Sequence, residues 1–115
     1  MIKKQSKMIR EIREQMRGGK GNVEINHIFK EDELNGKCRL FAKITLNEGC
    51  SIGLHEHDDE EEIYYIMKGK AMVEDNGVKQ ELSAGDAVLT GGGASHYIEN
   101  IGDEALEIMA VILLY

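Results

Sequence analysis

The sequence predicts one all-β domain, a sandwich or barrel of short strands, preceded by a short N-terminal α-helix. From residue 23 onward, runs of about four to ten residues rich in Val, Ile, Leu, Phe and Tyr alternate with Gly, Asn, Asp and Ser. Apolar residues at helical spacing occur only before that point. The chain has 115 residues, which is the length of one compact domain.

The N-terminal segment carries the single helical pattern. Its apolar residues lie at helical spacing: Met8, Ile9, Ile12 and Met16. We therefore expect a short amphipathic helix over Lys4–Met16, packed on the barrel. The glycine-rich "RGGKG", Arg17–Gly21, ends it. Residues 1–22 are thus expected to form the helix and loop, and residues 23–115 the barrel.

The "RGGKG" loop has two interpretations, and both stay open at this point. Its backbone amides could bind an anion, with Arg17 or Lys20 reaching a phosphate or carboxylate. It could instead be a flexible hinge, because it lacks the length and the Lys-Ser/Thr ending of a phosphate-binding loop.

Nine strands are expected after the loop. They are Val23–Phe29, Cys38–Leu46, Ser51–His57, Glu62–Met67, Ala71–Glu74, Val78–Leu82, Ala87–Leu89, His96–Glu99 and Leu106–Leu114. Asn76 and Gly77 tolerate the positive φ of a tight hairpin turn. The last strand is apolar at both alternating sets of positions, so we expect it to be buried on both faces and to contribute to a homodimer interface.

Composition excludes some partners and favours a location. Fourteen basic and 21 acidic residues give a formal net charge of −7, which argues against nucleic acid or an anionic membrane surface as a main partner. The N-terminal residues lack the continuous apolar region of a secretory signal. We expect a cytoplasmic protein in which Cys38 and Cys50 stay unpaired.

A candidate site begins with His55 and His57. Residues two apart in a strand project from the same face, so these imidazoles could share a ligand. Isolated strand histidines are often merely exposed, but Glu62 begins the next strand and His96 follows the glycine-rich "GGGAS". Three imidazoles and a carboxylate form a plausible ligand set for a divalent transition metal. In this register Ser51 and Gly53 share the histidine face, and Ile52 and Leu54 form an apolar face opposite.

These residues belong to two gapped motifs through which the sequence resembles the cupin superfamily, and in particular its small single-domain members. Gly49, His55, His57, Glu62 and Gly69 match the pattern G-x5-H-x-H-x3,4-E-x6-G. Gly85, Gly93, His96 and Asn100 match G-x5-P-x-G-x2-H-x3-N. Gly91 stands where the family usually has proline, which loosens the turn before His96 but removes no ligand.

The resemblance implies a double-stranded β-helix, or jelly-roll, barrel with one metal inside. The ligands that it implies are His55, His57, Glu62 and His96. Cupins hold iron, manganese, nickel, copper or zinc, and ligand types alone do not choose among these metals. Four protein ligands would leave one or two positions open for water or a small-molecule substrate.

Tyr64 is expected on the inward face beside Glu62. Its phenol could act as a catalytic hydrogen-bond donor, acid or base, or its ring could simply fill the core with the hydroxyl on a backbone partner. Asp58–Glu61 are expected to form a solvated loop at the barrel mouth, and His27 to be structural or exposed.

Three functions are compatible with the sequence. The first is a small-molecule metalloenzyme, for which the family resemblance permits oxygenase, decarboxylase, isomerase or lyase chemistry. The second is a non-catalytic binding or sensing module that holds a small ligand. The third is a stable barrel without metal, which the four retained candidate ligands argue against, because buried histidines and a carboxylate would then carry an uncompensated desolvation cost.

Overall fold

A computed structural model describes all 115 residues of the chain. Its ten strands are β1 (Ile9–Glu14), β2 (Asn22–Phe29), β3 (Cys38–Leu46), β4 (Ser51–Glu56), β5 (Glu60–Lys68), β6 (Lys70–Asp75), β7 (Val78–Ser83), β8 (Ala87–Gly91), β9 (Ser95–Asn100) and β10 (Leu106–Leu114). Single 3-10 turns occur at Gln5–Lys7, Met16–Gly18 and Glu31–Glu33. None of these helical segments has the length and apolar composition that a membrane crossing requires.

The strands form two antiparallel sheets, ordered β1-β2-β3-β10-β5-β8 and β4-β9-β6-β7. The sheets face each other around one core, which confirms the all-β jelly-roll fold. All nine expected strands are present, and β3 and β10 have the predicted bounds. The β6–β7 turn also agrees, since Asn76 and Gly77 have φ of 48° and 84°.

Strand β10 shows how the core is covered. Leu106, Ile108 and Ala110 are fully buried, and they alternate with Met109 and Val111, which are partly buried on the outer face. Each fully buried Leu or Ile stabilises the fold by roughly 1.5–3 kcal/mol. Within one chain only the inner face of β10 is fully buried and the outer face is partly buried. The expectation that a subunit interface buries the outer face stays a prediction.

The predicted α-helix over Lys4–Met16 is wrong. Apart from the single turn at Gln5–Lys7, the segment is mostly strand β1, which pairs antiparallel with β2. A spacing of four residues fits one face of a strand as well as one face of a helix, because four is a multiple of the strand period. Hydrogen bonding to the edge of β2 favours the strand over the helix, and an ion pair between Arg10 and Glu24 joins the two strands.

Residues 15–21, here called the strap, connect β1 to β2 and lie along the edge of β4. The Lys20 amide donates a hydrogen bond to Ser51 Oγ at 2.9 Å, and the Ser51 amide donates one to the Lys20 carbonyl at 2.9 Å. A Cβ added at Gly19 would overlap the carbonyl oxygen of Ser51. The two backbones approach this closely because glycine has no side chain. The "RGGKG" sequence is therefore docked on the barrel and is not a free hinge.

Candidate metal centre

The four candidate ligands come from three strands that meet inside the barrel. His55 lies on β4, His57 follows its last residue, Glu62 lies on β5 and His96 lies on β9. His55 is paired directly with His96 across the β4–β9 ladder. The two sheets therefore supply the site together, since β4 and β9 belong to one sheet and β5 to the other.

A β-bulge in β4 turns the histidines inward. Ile52 pairs with Ile98 and His55 pairs with His96, so two residues of β4 oppose one residue of β9 between these pairs. Ile52 and His55 therefore both face the interior, although they are three residues apart. The expected apolar outer face of Ile52 and Leu54 is wrong, since Ile52 is in the core and Leu54 is 56% exposed.

The four ligand atoms converge on one point. His96 Nε2 lies 3.0 Å from His55 Nε2 and 3.0 Å from His57 Nε2. Glu62 Oε1 lies 2.9 Å from His57 Nε2, 3.1 Å from His96 Nε2 and 3.9 Å from His55 Nε2. All four atoms lie within 4.8 Å of one another.

This arrangement fits a metal ion. With bonds of about 2.1 Å, adjacent ligands of a six-coordinate ion lie about 3.0 Å apart, and those of a tetrahedral ion about 3.4 Å apart. Four of the separations are 3.0, 3.0, 2.9 and 3.1 Å. Three buried imidazoles directed at each other through Nε2 also need a shared partner for their lone pairs. The group could therefore hold a metal, and the spacing is that of adjacent positions on a six-coordinate ion.

The outer ring nitrogens of the histidines have three different environments. His57 Nδ1 lies 2.5 Å from Glu60 Oε2, and His55 Nδ1 lies 2.7 Å from the Gly53 carbonyl oxygen. Both partners accept hydrogen bonds, so Nδ1 carries the proton and Nε2 keeps its lone pair for a metal. His96 Nδ1 is buried without a partner. The tautomers of His55 and His57 are thus set by contacts outside the ligand group.

Glu60 is itself held by an arginine. The Arg39 side chain donates two hydrogen bonds to the Glu60 carboxylate, from Nε at 2.8 Å and from Nη2 at 2.7 Å. This ion pair lowers the pKa of Glu60 to about 2, against the opposing effect of burial and with help from His57. The solvated loop expected over Asp58–Glu61 is therefore wrong for Glu60, whose side chain is only 13% exposed.

Glu62 and His96 are shifted towards the protonation states that metal binding needs, whereas His57 is shifted the other way. Burial alone raises the pKa of the Glu62 carboxyl, but hydrogen bonds with His55, His57 and His96 outweigh it and leave that pKa well below its usual value. Burial lowers the pKa of His96, so that this imidazole stays neutral. At His57, burial is outweighed by hydrogen bonds to Glu62 and Glu60, which raise its pKa.

A cavity of about 70 Å³ opens onto the ligands. Its polar lining residues other than the ligands are Arg13, Arg17, His27, Arg39 and Tyr64. A larger cavity of about 370 Å³ lies between β6, β7 and β8 and contains none of the ligands. The smaller cavity is therefore the candidate binding site, because candidate metal ligands line it and do not line the larger one.

Tyr64 lies in this site, as the sequence predicts. Its ring is stacked on the His96 imidazole with 4.8 Å between centroids and 7° between planes. Burial, with the nearby Glu62 carboxylate, raises its pKa well above the usual value, so the phenol stays protonated. The ring fills the core, as the structural interpretation predicts, but the hydroxyl lies near the Glu62 carboxylate and not on a backbone partner. A catalytic role for Tyr64 stays a prediction.

Residues 42–112 match the sequence model of the Cupin domain. This region is more than half of the chain and contains all four candidate ligands. The chain belongs to the cupin family. The membership implied by the two glycine-histidine motifs is thereby confirmed.

A sequence and a solved structure, both from Thermotoga maritima, align with nearly the whole of this cupin. An "Oxalate-binding protein" of Thermotoga maritima is 45% identical over 114 residues, which are 99% of this chain and 94% of that protein. The crystal structure of a "predicted oxalate decarboxylase" from Thermotoga maritima is 44% identical, has a TM-score of 0.94 and is covered completely by this chain. The polyketide cyclase RemF of Streptomyces resistomycificus has a TM-score of 0.78 at 16% identity, with coverage of 99% and 80%, and shares the fold alone.

Two residues of this cupin's site, Glu60 and Arg39, were not predicted from the sequence in their present roles. Glu60 sat within an acidic run that resembles any solvated loop, and its partner Arg39 lies 21 residues away. Arg17 was predicted as a possible anion-binding residue, and the structure places it in the lining of the cavity. The pairing of β3 and β5 with β10 brings Arg39 to Glu60, and no local sequence pattern predicts that pairing.

Proposed function

We propose that this cupin binds a small dicarboxylate of the oxalate class through a divalent transition metal held by His55, His57, Glu62 and His96. One observation carries the proposal: the candidate metal ligands and several arginines line the same small cavity. The names given to the Thermotoga maritima sequence and solved structure, which are 45% and 44% identical to this chain, support oxalate as the ligand.

The size of the cavity supports a small ligand. One water needs about 10–15 Å³ of such volume, so 70 Å³ admits on the order of five or six non-hydrogen atoms. Oxalate has six. A metal supplies the positive charge that an anion needs when it leaves water, because burying an unpaired carboxylate is costly. Sugars and aromatic acids are too large unless the strap moves.

The ligand spacing supports a six-coordinate metal, and among the candidates iron, manganese and nickel satisfy that preference better than tetrahedral zinc. Four protein ligands on such an ion leave two positions free, which is the number that the two carboxylate groups of oxalate can occupy.

The test combines metal analysis with calorimetry. We expect about one manganese, iron or nickel ion per chain in untagged protein purified without chelators, and loss of that metal in His57→Ala. Titration of metal-loaded protein with oxalate should give one site per chain, absent from metal-stripped protein. Tight oxalate binding to metal-free protein, or no binding by loaded protein, would contradict the proposal.

A metalloenzyme that decarboxylates oxalate is the second candidate, and the position of Tyr64 favours it. In that reaction the carbon–carbon bond breaks, carbon dioxide leaves, and the remaining carbon takes one proton to give formate. Tyr64 keeps a proton beside the ligand group. Binding without turnover has the better support, because a donor with a pKa far above neutrality transfers its proton slowly.

Formate assays separate the two candidates. Metal-loaded protein incubated with oxalate should bind it without releasing formate if the site only binds. Formate release that falls strongly in Tyr64→Phe, with oxalate affinity retained, would establish the enzyme and the role of Tyr64 as proton donor.

We further propose that a second copy of the chain covers the outer face of β5, β8 and β10. Its exposed or partly buried apolar residues form one patch. Ile63 pairs with Val111 and Leu89, Tyr65 pairs with Met109, and Met67 follows Tyr65 on the same face of β5. Tyr65, Met67 and Leu89 are 47%, 47% and 56% exposed. Patches of this kind on a soluble domain usually mark protein interfaces.

Sedimentation analysis tests the dimer. The wild-type chain should sediment as a dimer, and Leu89→Glu should shift it to monomer because a charge would be buried in the interface. Val78→Glu, at an exposed position on the other sheet, is the matched control and should leave the dimer unchanged. A wild-type monomer at micromolar concentration would overturn the proposal.

The free cysteines Cys38 and Cys50 are consistent with the cytoplasm, which we propose as the location of this cupin.

A further inference from the structure

Arg17 differs from the other arginines of the chain. Three of the four arginines form ion pairs: Arg10 with Glu24, Arg13 with Glu11, and Arg39 with Glu60. Arg17 has no such partner within the chain, although it lines the cavity above the metal ligands. An unpaired guanidinium in a cavity is a group prepared for an anionic ligand, because its five donors match carboxylate oxygens in pairs.

The backbone of Arg17 is held in an unusual conformation. Its φ is 55°, in the left-handed region that non-glycine residues rarely adopt. The carbonyl oxygen of Arg17 lies where a Cβ of Gly53 would be, and the neighbouring Gly19 is packed equally closely against Ser51. The strap therefore holds Arg17 against Gly53 of β4, and Gly53 lies two residues before His55. Backbone strain of this kind persists only where the surroundings enforce it, and it is concentrated at functional sites.

We infer that Arg17 binds the carboxylate whose negative charge the metal site does not balance. Arg17 would thereby select dicarboxylates over monocarboxylates. This inference rests on the proposed function. The cavity is so small that a molecule bound at the metal site also contacts the part of the wall to which Arg17 belongs.

The charges in the site give the physical reason. A divalent metal and the Glu62 carboxylate leave one positive charge, and Glu60 and Arg39 neutralise each other. A monocarboxylate cancels that charge by itself. A dicarboxylate brings one negative charge more than the metal site can balance, and Arg17 supplies the missing positive charge. Arg17 is therefore expected to matter for oxalate and not for acetate, since a buried uncompensated charge is the costly species.

Calorimetry of the manganese-loaded protein tests this selection. Oxalate and acetate are titrated separately into the wild-type chain, Arg17→Gln, Arg17→Lys and the control Arg10→Gln. Arg17→Gln should weaken oxalate roughly 10- to 100-fold, the cost of a lost charge-assisted hydrogen bond, while acetate affinity and metal content stay unchanged. Arg17→Lys should fall between, because an ammonium keeps the charge without the two-pronged geometry.

The control and the outcomes distinguish this inference from the proposed function. Arg10→Gln removes the same charge from the same N-terminal segment, outside the cavity, and should leave both affinities unchanged. Wild-type protein that holds manganese but binds no oxalate would refute the proposed function itself. Oxalate binding that is equal in wild type and Arg17→Gln, or acetate affinity that falls as much as oxalate affinity, would overturn the assignment of Arg17 alone.

Discussion

The candidate metal ligands and the strap form two walls of one cavity, yet they are built differently. His57, Glu62 and His96 are 2%, 3% and 0% exposed and lie on or next to paired strands. Arg17 is exposed, lies outside any strand and depends on glycine contacts for its position. The first wall is held by core packing and hydrogen bonds, and the second by close contact between two backbones.

This difference matches the two tasks that we propose for the site. Metal ligands must keep their geometry within a few tenths of an ångström, which buried strands provide. A residue that recognises a ligand can lie on a surface segment, because such segments vary without disturbing the barrel. Changes in the ligand group should therefore alter metal binding first, and changes in the strap should alter ligand selection alone.

The largest effect is expected for Glu62→Gln. The amide replaces the only anionic ligand, so metal affinity should fall by well over 100-fold, more than the roughly 10- to 100-fold typical of residues that merely support a ligand. Metal analysis after dialysis against a weak chelator measures it. Stability added by metal, read as the melting-temperature difference between loaded and stripped protein, should also disappear. Retention of one metal per chain would show that Glu62 is not a ligand.

Glu60→Gln should have the next largest effect. It weakens the hydrogen bond that orients His57 and leaves Arg39 without its partner, so metal affinity should fall roughly 10- to 100-fold. A chelator competition titration with cobalt, whose absorption spectrum reports ligand geometry, measures both affinity and distortion. Glu61→Gln removes the same charge from the same acidic run and should change neither. If the two variants behave alike, Glu60 acts only through net charge.

Gly19→Ala tests the strap. The added Cβ would overlap the Ser51 carbonyl, so the strap must shift and carry Arg17 with it. We expect oxalate affinity to fall about 10-fold, as for a lost hydrogen bond to a charged group, with metal content preserved. Gly36→Ala, where a Cβ meets nothing within 4 Å, is the control. Loss of metal together with oxalate would show that the two walls are not independent.

The smallest effect concerns acid stability of the metal-free protein. The folded pKa of Glu60 is about 2, below its ordinary 4.5, so its ion pair stabilises the fold above about pH 4.5 and is lost as the pH falls towards 2. Arg39→Met should melt a few degrees below wild type at pH 7, and the gap should narrow below pH 4.5. Melting curves by circular dichroism at pH 7, 5, 4 and 3 measure it. A gap that stays constant would mean that Arg39 stabilises through packing.

Local patterns predicted the strands and the ligands because both depend on short-range features. Alternating apolar residues bounded by turn formers mark strands wherever they pack, and the β6–β7 turn depends only on Asn76 and Gly77. The spacing of His55, His57 and Glu62 in one motif, and of Gly93 and His96 in the other, was sufficient to predict the candidate ligand group from the sequence.

The failures have a common cause in pairing between distant segments. The helix expected near Ile12 became β1 because β2 offered an edge. The bulge between Ile52 and His55 depends on the pairing of β4 with β9 and places Ile52 on the same inward side as His55. Glu60 gained its role from Arg39, 21 residues away. Such contacts leave no periodic trace in the sequence.

The sequence by itself determined the all-β fold, the cupin motifs and the identity of the four candidate ligands, because alternation and motif spacing are properties of neighbouring residues. Only the tertiary structure decided that the N-terminal segment is a strand, that Glu60 supports His57, and that Arg17 faces the metal cavity. Those outcomes depend on which strand edges and backbones meet when the sheets close, and that choice is made by the packing of the whole chain.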